Sequence, residues 1–208
     1  MTKTKSLVNG IGNISETKKY YDDWSKEYEA NLHDWNYLVP KKSIKLLQAK
    51  LTKKPKYILD LACGTGLFGC ELKRVFNNSQ IYGSDISKKS LTIAKKKYVY
   101  KNLTQINFEK KKVYKIKFEL VSMIGAMTYC KKFDNLFFNI RYYLQKNGYF
   151  IFSHRTDLWQ EQKFINILKN HKDDFIIKYI SRPINYLPLN EDYSDKIKIR
   201  LVLLQKKT

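Results

Sequence analysis

The chain has 208 residues, of which 43% are hydrophobic and 28% are charged. That balance is typical of one globular domain with at most a small appendage, and it excludes a wholly disordered chain. No apolar stretch approaches the ~20 residues that span a bilayer, and residues 1–14 lack the apolar run of a signal peptide. The sequence therefore predicts a cytoplasmic protein without a membrane span.

The formal net charge is +21, from 40 basic and 19 acidic residues. One interpretation is a surface that binds nucleic acid or a membrane. Only five of the basic residues are arginine, however, and arginine is preferred for bidentate phosphate contacts. The abundant Lys, Asn, Ile and Tyr are typical of an AT-rich genome. We favour a solvated lysine surface, whose field attracts anionic ligands to any cleft.

Three cysteines, Cys63, Cys70 and Cys130, have neither CxxC spacing nor a nearby pair of histidines. This pattern argues against a zinc site and against a disulfide framework. We therefore predict no metal site and a reducing compartment.

The first part of the chain predicts a tail followed by helices. Residues 1–13 are polar and contain glycine, which predicts a flexible tail. A helix is predicted from Ser15, as its N-cap, to about Leu32, and a second helix begins at Pro40. The first helix carries three aromatic rings on one face: Tyr21, Trp24 and Tyr28. We interpret residues 14–54 as a helical cap.

After Pro55 short apolar runs alternate with segments of helical periodicity. The helices are predicted near residues 67–76, after an N-cap at Ser87, and near 133–144 and 158–170. Seven strands are predicted, near residues 57–60, 80–84, 103–108, 118–123, 149–153, 175–180 and 197–204. Strands that alternate with helices indicate right-handed crossovers and an open parallel sheet covered on both faces. Ligands bind such sheets at the carboxyl ends of the strands, where the strand order reverses.

The most informative segment is a glycine turn between a predicted strand and a helix, residues 58–69. Gly64 and Gly66 allow backbone to approach a ligand closely, and the helix that follows offers free N–H groups. Asp85 ends the next strand, 19 residues after Gly66. A carboxylate at that place accepts hydrogen bonds from both hydroxyls of a ribose. The pair predicts a cofactor that contains adenosine.

Two cofactors fit these residues. The segment from Gly64 to Gly69 matches the dinucleotide fingerprint GxGxxG, so NAD is one of them. Asp60, at the end of the first strand, argues against NAD because it puts negative charge beside the place of a pyrophosphate. A ligand with an ammonium and a sulfonium group would be attracted there instead.

At these residues the chain resembles the class I S-adenosylmethionine-dependent methyltransferases. Asp60-Leu61-Ala62-Cys63-Gly64-Thr65-Gly66 resembles their first motif, with Ala62 in place of the first glycine. The segments 82–87, 118–122 and 145–151 are similar to later motifs of the family. Residues 183–206 are similar to the methyltransferase-like proteins first noted in the Williams–Beuren deletion region. The resemblance covers most of the chain.

The resemblance implies a Rossmann-like open sheet of seven strands, mostly parallel with an antiparallel last strand, helices on both faces and an N-terminal helical cap. Residues 55–208 would form the S-adenosylmethionine-binding domain, in one structural unit with the cap at 14–54. The residues implied to bind the cofactor are Tyr21, Asp60, Ala62, Gly64, Gly66, Asp85, Ile86, Asn107, Phe108 and Met123. Asp60 would lie near the amine of the cofactor, Asp85 on its ribose, and Ile86, Asn107 and Phe108 around its adenine.

For the acceptor the sequence is less specific. His154 and Arg155 follow the fifth predicted strand, where His154 is a candidate base and Arg155 a candidate anchor for a carboxylate or phosphate. Tyr129, the second candidate catalytic residue, follows the fourth strand, at a position that often faces the acceptor in this superfamily. Tyr28 and Tyr37 are candidates for the wall of the acceptor pocket.

These observations predict a methyltransferase that acts on oxygen or nitrogen of a small molecule by in-line displacement, as a monomer or homodimer. One alternative is an RNA methyltransferase that uses the lysine-rich surface. It is the less favoured one, because the Asn/Asp-Pro-Pro-aromatic turn of N6-adenine enzymes is absent after the fourth strand. Another is a protein that binds the cofactor without catalysis.

Overall fold

A computed structural model describes residues 13–193 and 196–208. The expected tail at 1–13 lies outside the described residues except for Asn13. The described residues form eight helices: α1 (Ile14–Trp24), α2 (Tyr28–Asp34), α3 (Val39–Lys50), α4 (Leu67–Val75), α5 (Lys88–Lys95), α6 (Phe133–Tyr143), α7 (Thr156–Glu161) and α8 (Phe164–Asn170). The strands are β1 (Tyr57–Leu61), β2 (Gln80–Asp85), β3 (Tyr100–Gln105), β4 (Phe118–Met123), β5 (Leu144–Arg155), β6 (Phe175–Ile180), β7 (Ile184–Asn185) and β8 (Lys198–Lys206).

These strands form one open sheet in the order β3-β2-β1-β4-β5-β8-β6, with the short β7 beside β8. The pairs among β1 to β5 are parallel, whereas β8 runs antiparallel to β5 and β6. This confirms the predicted Rossmann-like sheet with an antiparallel last strand, and β7 is an eighth strand beyond the seven predicted. The chain order reverses between β1 and β4, so the carboxyl ends of these two strands flank the natural place for a ligand.

Alternate residues of each central strand face opposite layers of helices. Ile58 and Leu120 lie in a cluster with α3 and α4, whereas Leu59 and Val121 lie in a cluster with α6 and α8. Both layers exclude water from the sheet, which explains the near-continuous apolar runs of β1 and β4. Helix α3 therefore packs as part of a sheet layer, although the sequence grouped it with the cap.

The single helix predicted over 15–32 is wrong: the segment forms α1 and α2. The N-cap is Asn13 rather than Ser15, because the Asn13 side chain accepts a hydrogen bond from the Glu16 N–H (2.9 Å) and the Glu16 carboxylate accepts one from the Asn13 N–H (3.2 Å). At the other end Ser25 donates its hydroxyl to the Asp22 carbonyl (2.9 Å). This local bond competes with continuation of the helix.

Three further predicted boundaries are corrected. The helix expected over 158–170 is two helices, because Lys163 has a left-handed backbone (φ +47°) that interrupts the ladder. Strand β3 begins and ends earlier than predicted, so that Asn107 and Phe108 lie in the loop after it. Strand β5 begins at Leu144 instead of Tyr149, since its pairing with β4 continues past an irregularity at Asn147 (φ +61°).

Within the part of the chain that the structure describes, no helix has the length and the apolar character needed to cross a bilayer.

We expect Gly69→Ala to lower the free energy of unfolding by about 1–3 kcal/mol, the usual cost of overpacking. Gly69 lies in the buried face of α4, where an added methyl group would overlap the phenol ring of Tyr100. Urea denaturation measures the effect. The control is Arg74→Ala on the exposed side of the same helix, which should change stability by less than about 0.5 kcal/mol. Equal stability of the two variants would contradict this packing.

Candidate active site

The turn after β1 has a backbone that side chains rarely adopt. Ala62 (φ +53°), Gly64 (φ +54°) and Gly66 (φ +90°) are all left-handed, and Gly66 is the N-cap of α4. A Cβ placed on Gly64 would meet no atom within 4 Å. The backbone at Gly64 therefore borders open space, as a close approach to a ligand requires.

Asp85 ends β2 and is joined to this turn. Its Oδ2 accepts a hydrogen bond from the Gly64 N–H (2.8 Å), and its Oδ1 accepts one from the Ser87 N–H (2.8 Å). Burial raises the pKa of Asp85, although the hydrogen bonds from Ser87 and Gly64 oppose that shift. The N–H groups of Gly64, Ser87 and Ile86 act on Asp85, and a carboxylate has about four acceptor sites, so Asp85 retains capacity for a hydroxyl donor.

The turn and Asp85 border a cleft at the carboxyl ends of the parallel strands, where ligands bind in open sheets of this kind. Helices α1 and α2 form its opposite wall. Nine residues predicted for the site line it: Tyr21, Tyr28, Ala62, Gly64, Asp85, Ile86, Asn107, Phe108 and Tyr129.

Eight lining residues were not predicted from the sequence: Ile14, Thr17, Thr65, Ser90, Ile106, Ile124, Gly125 and Ala126. For several of these residues, the position in the sequence already indicates that they lie near the cleft. Thr65 lies between the two glycines of the turn, and Gly125 follows β4 at the same edge of the sheet. Ile14 and Thr17 lie on the helical face of Tyr21.

The adenine end of the predicted site contains Ile86, Asn107 and Phe108. The Asn107 Oδ1 accepts a hydrogen bond from the Glu109 N–H (2.9 Å), which makes a local turn. That bond uses one lone pair of the amide oxygen of Asn107, a residue that the resemblance implies to lie near the adenine. The Phe108 carbonyl is held by the Asn139 side chain (3.3 Å), which fixes the loop between β3 and β4.

Asp60 lies beneath the glycine turn and does not line the cleft. Its side chain accepts hydrogen bonds from the Ser122 hydroxyl (2.7 Å) and the Tyr100 hydroxyl (2.8 Å). Burial raises its pKa to about 7, although both hydroxyl bonds act to lower it. With only 1% of its surface exposed, Asp60 influences the turn from below. Gly66 and Met123 also lie behind the cleft wall; Met123 is fully buried in the core.

Tyrosines form part of the cleft wall. The Tyr21 hydroxyl donates to the Tyr129 hydroxyl (2.7 Å), and the two rings meet edge to face. Tyr37 lies behind Gly125, where a Cβ would be 3.0 Å from the Tyr37 hydroxyl. Burial raises the pKa of Tyr21, Tyr37 and Tyr129, so these hydroxyls stay protonated at neutral pH. They are hydrogen-bond donors and acceptors, not bases.

His154 faces away from the cleft. Its ring packs against Phe164 (4.5 Å between centroids), and its Nε2 lies 3.1 Å from the Gln162 Oε1. Burial lowers its pKa to about 4, so the imidazole is neutral at pH 7. Its neighbour Ser153 points to the other side of β5, where its hydroxyl accepts a hydrogen bond from the Gly125 N–H (2.8 Å).

Arg155 is on the same side of β5 as Ser153, behind the tyrosines. Its Nε and Nη2 form a fork on the Asp157 carboxylate (3.1 and 2.5 Å), and its guanidinium lies 5.2 Å from the ring of Tyr193. The charge predicted for an acceptor anion is therefore already neutralised by Asp157. Arg155 is 4% exposed and does not line the cleft.

A family model described as "Methyltransferase domain" matches residues 52–187. This chain belongs to that family. The matched residues contain the glycine turn, Asp85 and the loop of Asn107 and Phe108. The methyltransferase domain thus includes the segments that build the cleft, except α1 and α2, which precede the match.

One curated relative is the human methyltransferase-like protein 27, which is 28% identical over 125 residues. The alignment covers 58% of this chain and 51% of the relative, so the chain spans about half the length of the relative.

Solved structures share the fold of this methyltransferase domain. The [4+2]-cyclase SpnF has a TM-score of 0.76 at 11% identity, with 95% of this chain and 98% of that chain covered. The plantazolicin methyltransferase BpumL, solved with a pentazolic desmethylPZN analog and SAH, has a TM-score of 0.66 at 12% identity. That match covers 93% of each chain.

The raised pKa of Asp60 predicts a loss of stability as the pH rises. Its ordinary value is 3.8 and its folded value about 7, so between these values the folded protein holds a proton that the unfolded chain releases. We expect the free energy of unfolding of Asp60→Asn, relative to the unaltered chain, to increase by about 2–3 kcal/mol from pH 5 to pH 8.

Urea denaturation at pH 5, 6.5 and 8 measures this difference. The exposed Asp173→Asn substitution is the control and should follow the unaltered chain at each pH. A constant offset between Asp60→Asn and the unaltered chain across this range would show that Asp60 is ionised when buried.

Proposed function

We propose that this protein is an S-adenosylmethionine-dependent methyltransferase that transfers a methyl group to oxygen or nitrogen of a small molecule by in-line displacement. The observation that carries the proposal is the Asp85 carboxylate, held by the N–H groups of Gly64 and Ser87 beside an open glycine turn. Because the same fold occurs in a [4+2]-cyclase, the proposal is based on this site and on the family match rather than on the fold.

The residues of the cleft fit this cofactor. Asp85 would accept the ribose hydroxyls, and Ile86 and Phe108 would contact the adenine. Ala62 and Gly64 would present backbone to the methionine moiety, and the space beside Gly64 supports that role. When bound, the cofactor supplies a methyl group activated by a sulfonium. The solved complex of BpumL with SAH supports this choice.

For Asp60 we propose an indirect role. Its hydrogen bonds to Ser122 and Tyr100 hold the end of β1 against β4 and β3, and thereby fix the start of the glycine turn. Above about pH 7, where Asp60 is mostly ionised, its charge would act on the amine of the ligand through the turn. Gly66 begins α4 and would act in the same indirect way.

On the acceptor side, the protein's contribution would be orientation and exclusion of water. The paired hydroxyls of Tyr21 and Tyr129 lie at the cleft wall and offer a donor and an acceptor to a polar group. Tyr28 lines the same cleft, while Tyr37 supports it behind Gly125. We assign no base to His154, since it faces α8, and no anion anchor to Arg155, since Asp157 neutralises it.

The substitution Asp85→Asn tests whether the Asp85 carboxylate binds the cofactor. It removes charge-assisted hydrogen bonds worth about 1.5–3 kcal/mol, which corresponds to a dissociation constant about tenfold to hundredfold higher for S-adenosylhomocysteine. Calorimetric titration measures the constant, and Asp173→Asn, exposed on the surface, serves as the control for loss of one negative charge. An unchanged dissociation constant in Asp85→Asn would contradict the role of Asp85.

The salt dependence of turnover distinguishes a small acceptor from RNA. We expect release of S-adenosylhomocysteine with a panel of small hydroxyl and amine compounds to change little between 50 and 200 mM salt. An RNA that made 6–10 phosphate contacts would lose affinity by about 10³–10⁵ over the same range. Turnover with total RNA alone, falling steeply with salt, would contradict the small-molecule assignment.

A further inference from the structure

Two carboxylates of the α1–α2 segment (residues 14–34) contact the parts of the chain that build the cleft. From α1, the Asp22 Oδ1 accepts hydrogen bonds from the Ser87 hydroxyl (2.6 Å) and the Lys89 N–H (3.2 Å). From α2, the Glu29 carboxylate accepts hydrogen bonds from the Thr65 hydroxyl (2.5 Å) and the Lys97 ammonium. Both contacts join residues far apart in the chain.

The contact of Asp22 reaches Asp85 through a single residue. Ser87 donates its hydroxyl to Asp22 and its N–H to the Asp85 Oδ1 (2.8 Å). Ser87 is fully buried and is also the N-cap of α5, where its hydroxyl accepts from the Ser90 N–H (3.0 Å). The position of Asp22 therefore affects Ser87, whose N–H holds the Asp85 carboxylate that is proposed to bind the ribose.

Asp22 is suited to this contact by its charge. Burial acts to raise its pKa, but hydrogen bonds from Ser87 and Lys18 outweigh burial, and its pKa is below the ordinary value. The ionised carboxylate lies at the N-terminal end of α5, where the helix dipole favours negative charge. Lys18 binds the other oxygen at 3.0 Å and orients the side chain.

The contact of Glu29 reaches the glycine turn directly. Thr65 lies between Gly64 and Gly66, is 1% exposed and lines the cleft. Lys97, which follows α5, completes an ion pair with the same Glu29 oxygen that Thr65 contacts. Glu29 thus ties α2 to the turn and to the end of α5.

The α1–α2 segment is also a wall of the cleft. Ile14, Thr17 and Tyr21 of α1 and Tyr28 of α2 line it, opposite the glycine turn. A ligand that fills the cleft contacts both walls. Its binding and the docking of the segment are therefore linked, and the coupling is reciprocal by thermodynamic necessity.

From this geometry we infer that Asp22 and Glu29 are positioning residues that couple docking of the α1–α2 segment to binding of an adenosine-containing ligand. The inference depends on the proposed function for the identity of the ligand. Neither side chain lines the cleft, so each acts through Ser87 or Thr65.

The experiment compares Asp22→Asn and Glu29→Gln with neighbours that undergo the same chemical change. Asp23→Asn is the first control: Asp23 is exposed and forms ion pairs with Lys19 and Lys89 only on the surface. Glu27→Gln, exposed at the start of α2, is the second. Calorimetry gives the dissociation constant of S-adenosylhomocysteine, and amide hydrogen exchange reports opening of residues 14–34.

We expect each positioning variant to raise the dissociation constant about fivefold, as loss of one net hydrogen bond does, and both controls to bind as the unaltered chain does. Without ligand, exchange in α1 and α2 should be faster in the two variants. With ligand, the unaltered chain should gain protection in these helices. A general loss of stability would not produce this ligand-dependent gain of protection in α1 and α2.

Two results would overturn the inference. If the unaltered chain binds S-adenosylhomocysteine and the variants bind as tightly as their controls, the coupling is wrong and the proposed function stands. If the unaltered chain does not bind the ligand, the proposed function fails and the inference with it.

Discussion

The site depends on one hydrogen bond: the Gly64 N–H donates to the Asp85 carboxylate at 2.8 Å. The bond joins the turn after β1 to the end of β2. Gly64 has a left-handed backbone, and its other side borders open space. The N–H of Ser87 is a second donor to the carboxylate, and the α1–α2 segment contacts Ser87 and Thr65.

Beneath the turn, a second carboxyl group is held by hydroxyls instead of charges. Tyr100 crosses from β3 to Asp60 and fills the space left by Gly69 in α4. The third glycine of the fingerprint therefore serves packing of helix on sheet, whereas Gly64 borders the ligand cleft. The glycines of the fingerprint that suggested NAD therefore also fit the geometry of a methyltransferase domain.

Much of this arrangement could be predicted because it depends on local patterns. Short segments of sequence are enough to recognise the glycine turn, Asp85 and the alternation of strands and helices. The parallel sheet then follows from the right-handed connections between its strands. The prediction of Tyr21 and Tyr28 at the cleft came from the resemblance, and the break between α1 and α2 was missed. At that break the Ser25 hydroxyl bonds to the Asp22 carbonyl, a local contact that no periodicity reveals.

His154 shows what the sequence could not supply. Side chains alternate along β5, so the face of each residue depends on the register with β4 and β8. An irregularity in that register lies between Phe118 and Leu120, and it cannot be read from composition. Arg155 lies on the cleft side of the strand, but its partner Asp157 comes from the start of α7, two residues later. The sequence showed the Arg155 cation but did not show that Asp157 neutralises it.

The central claim is that the cleft binds S-adenosylmethionine and not a dinucleotide, and parallel calorimetric titrations with S-adenosylhomocysteine and NADH test it most directly. We predict one-to-one binding of S-adenosylhomocysteine at micromolar concentrations and no heat from NADH under the same conditions. Tight binding of NADH without binding of S-adenosylhomocysteine would contradict the account and would indicate that the glycine turn holds a pyrophosphate.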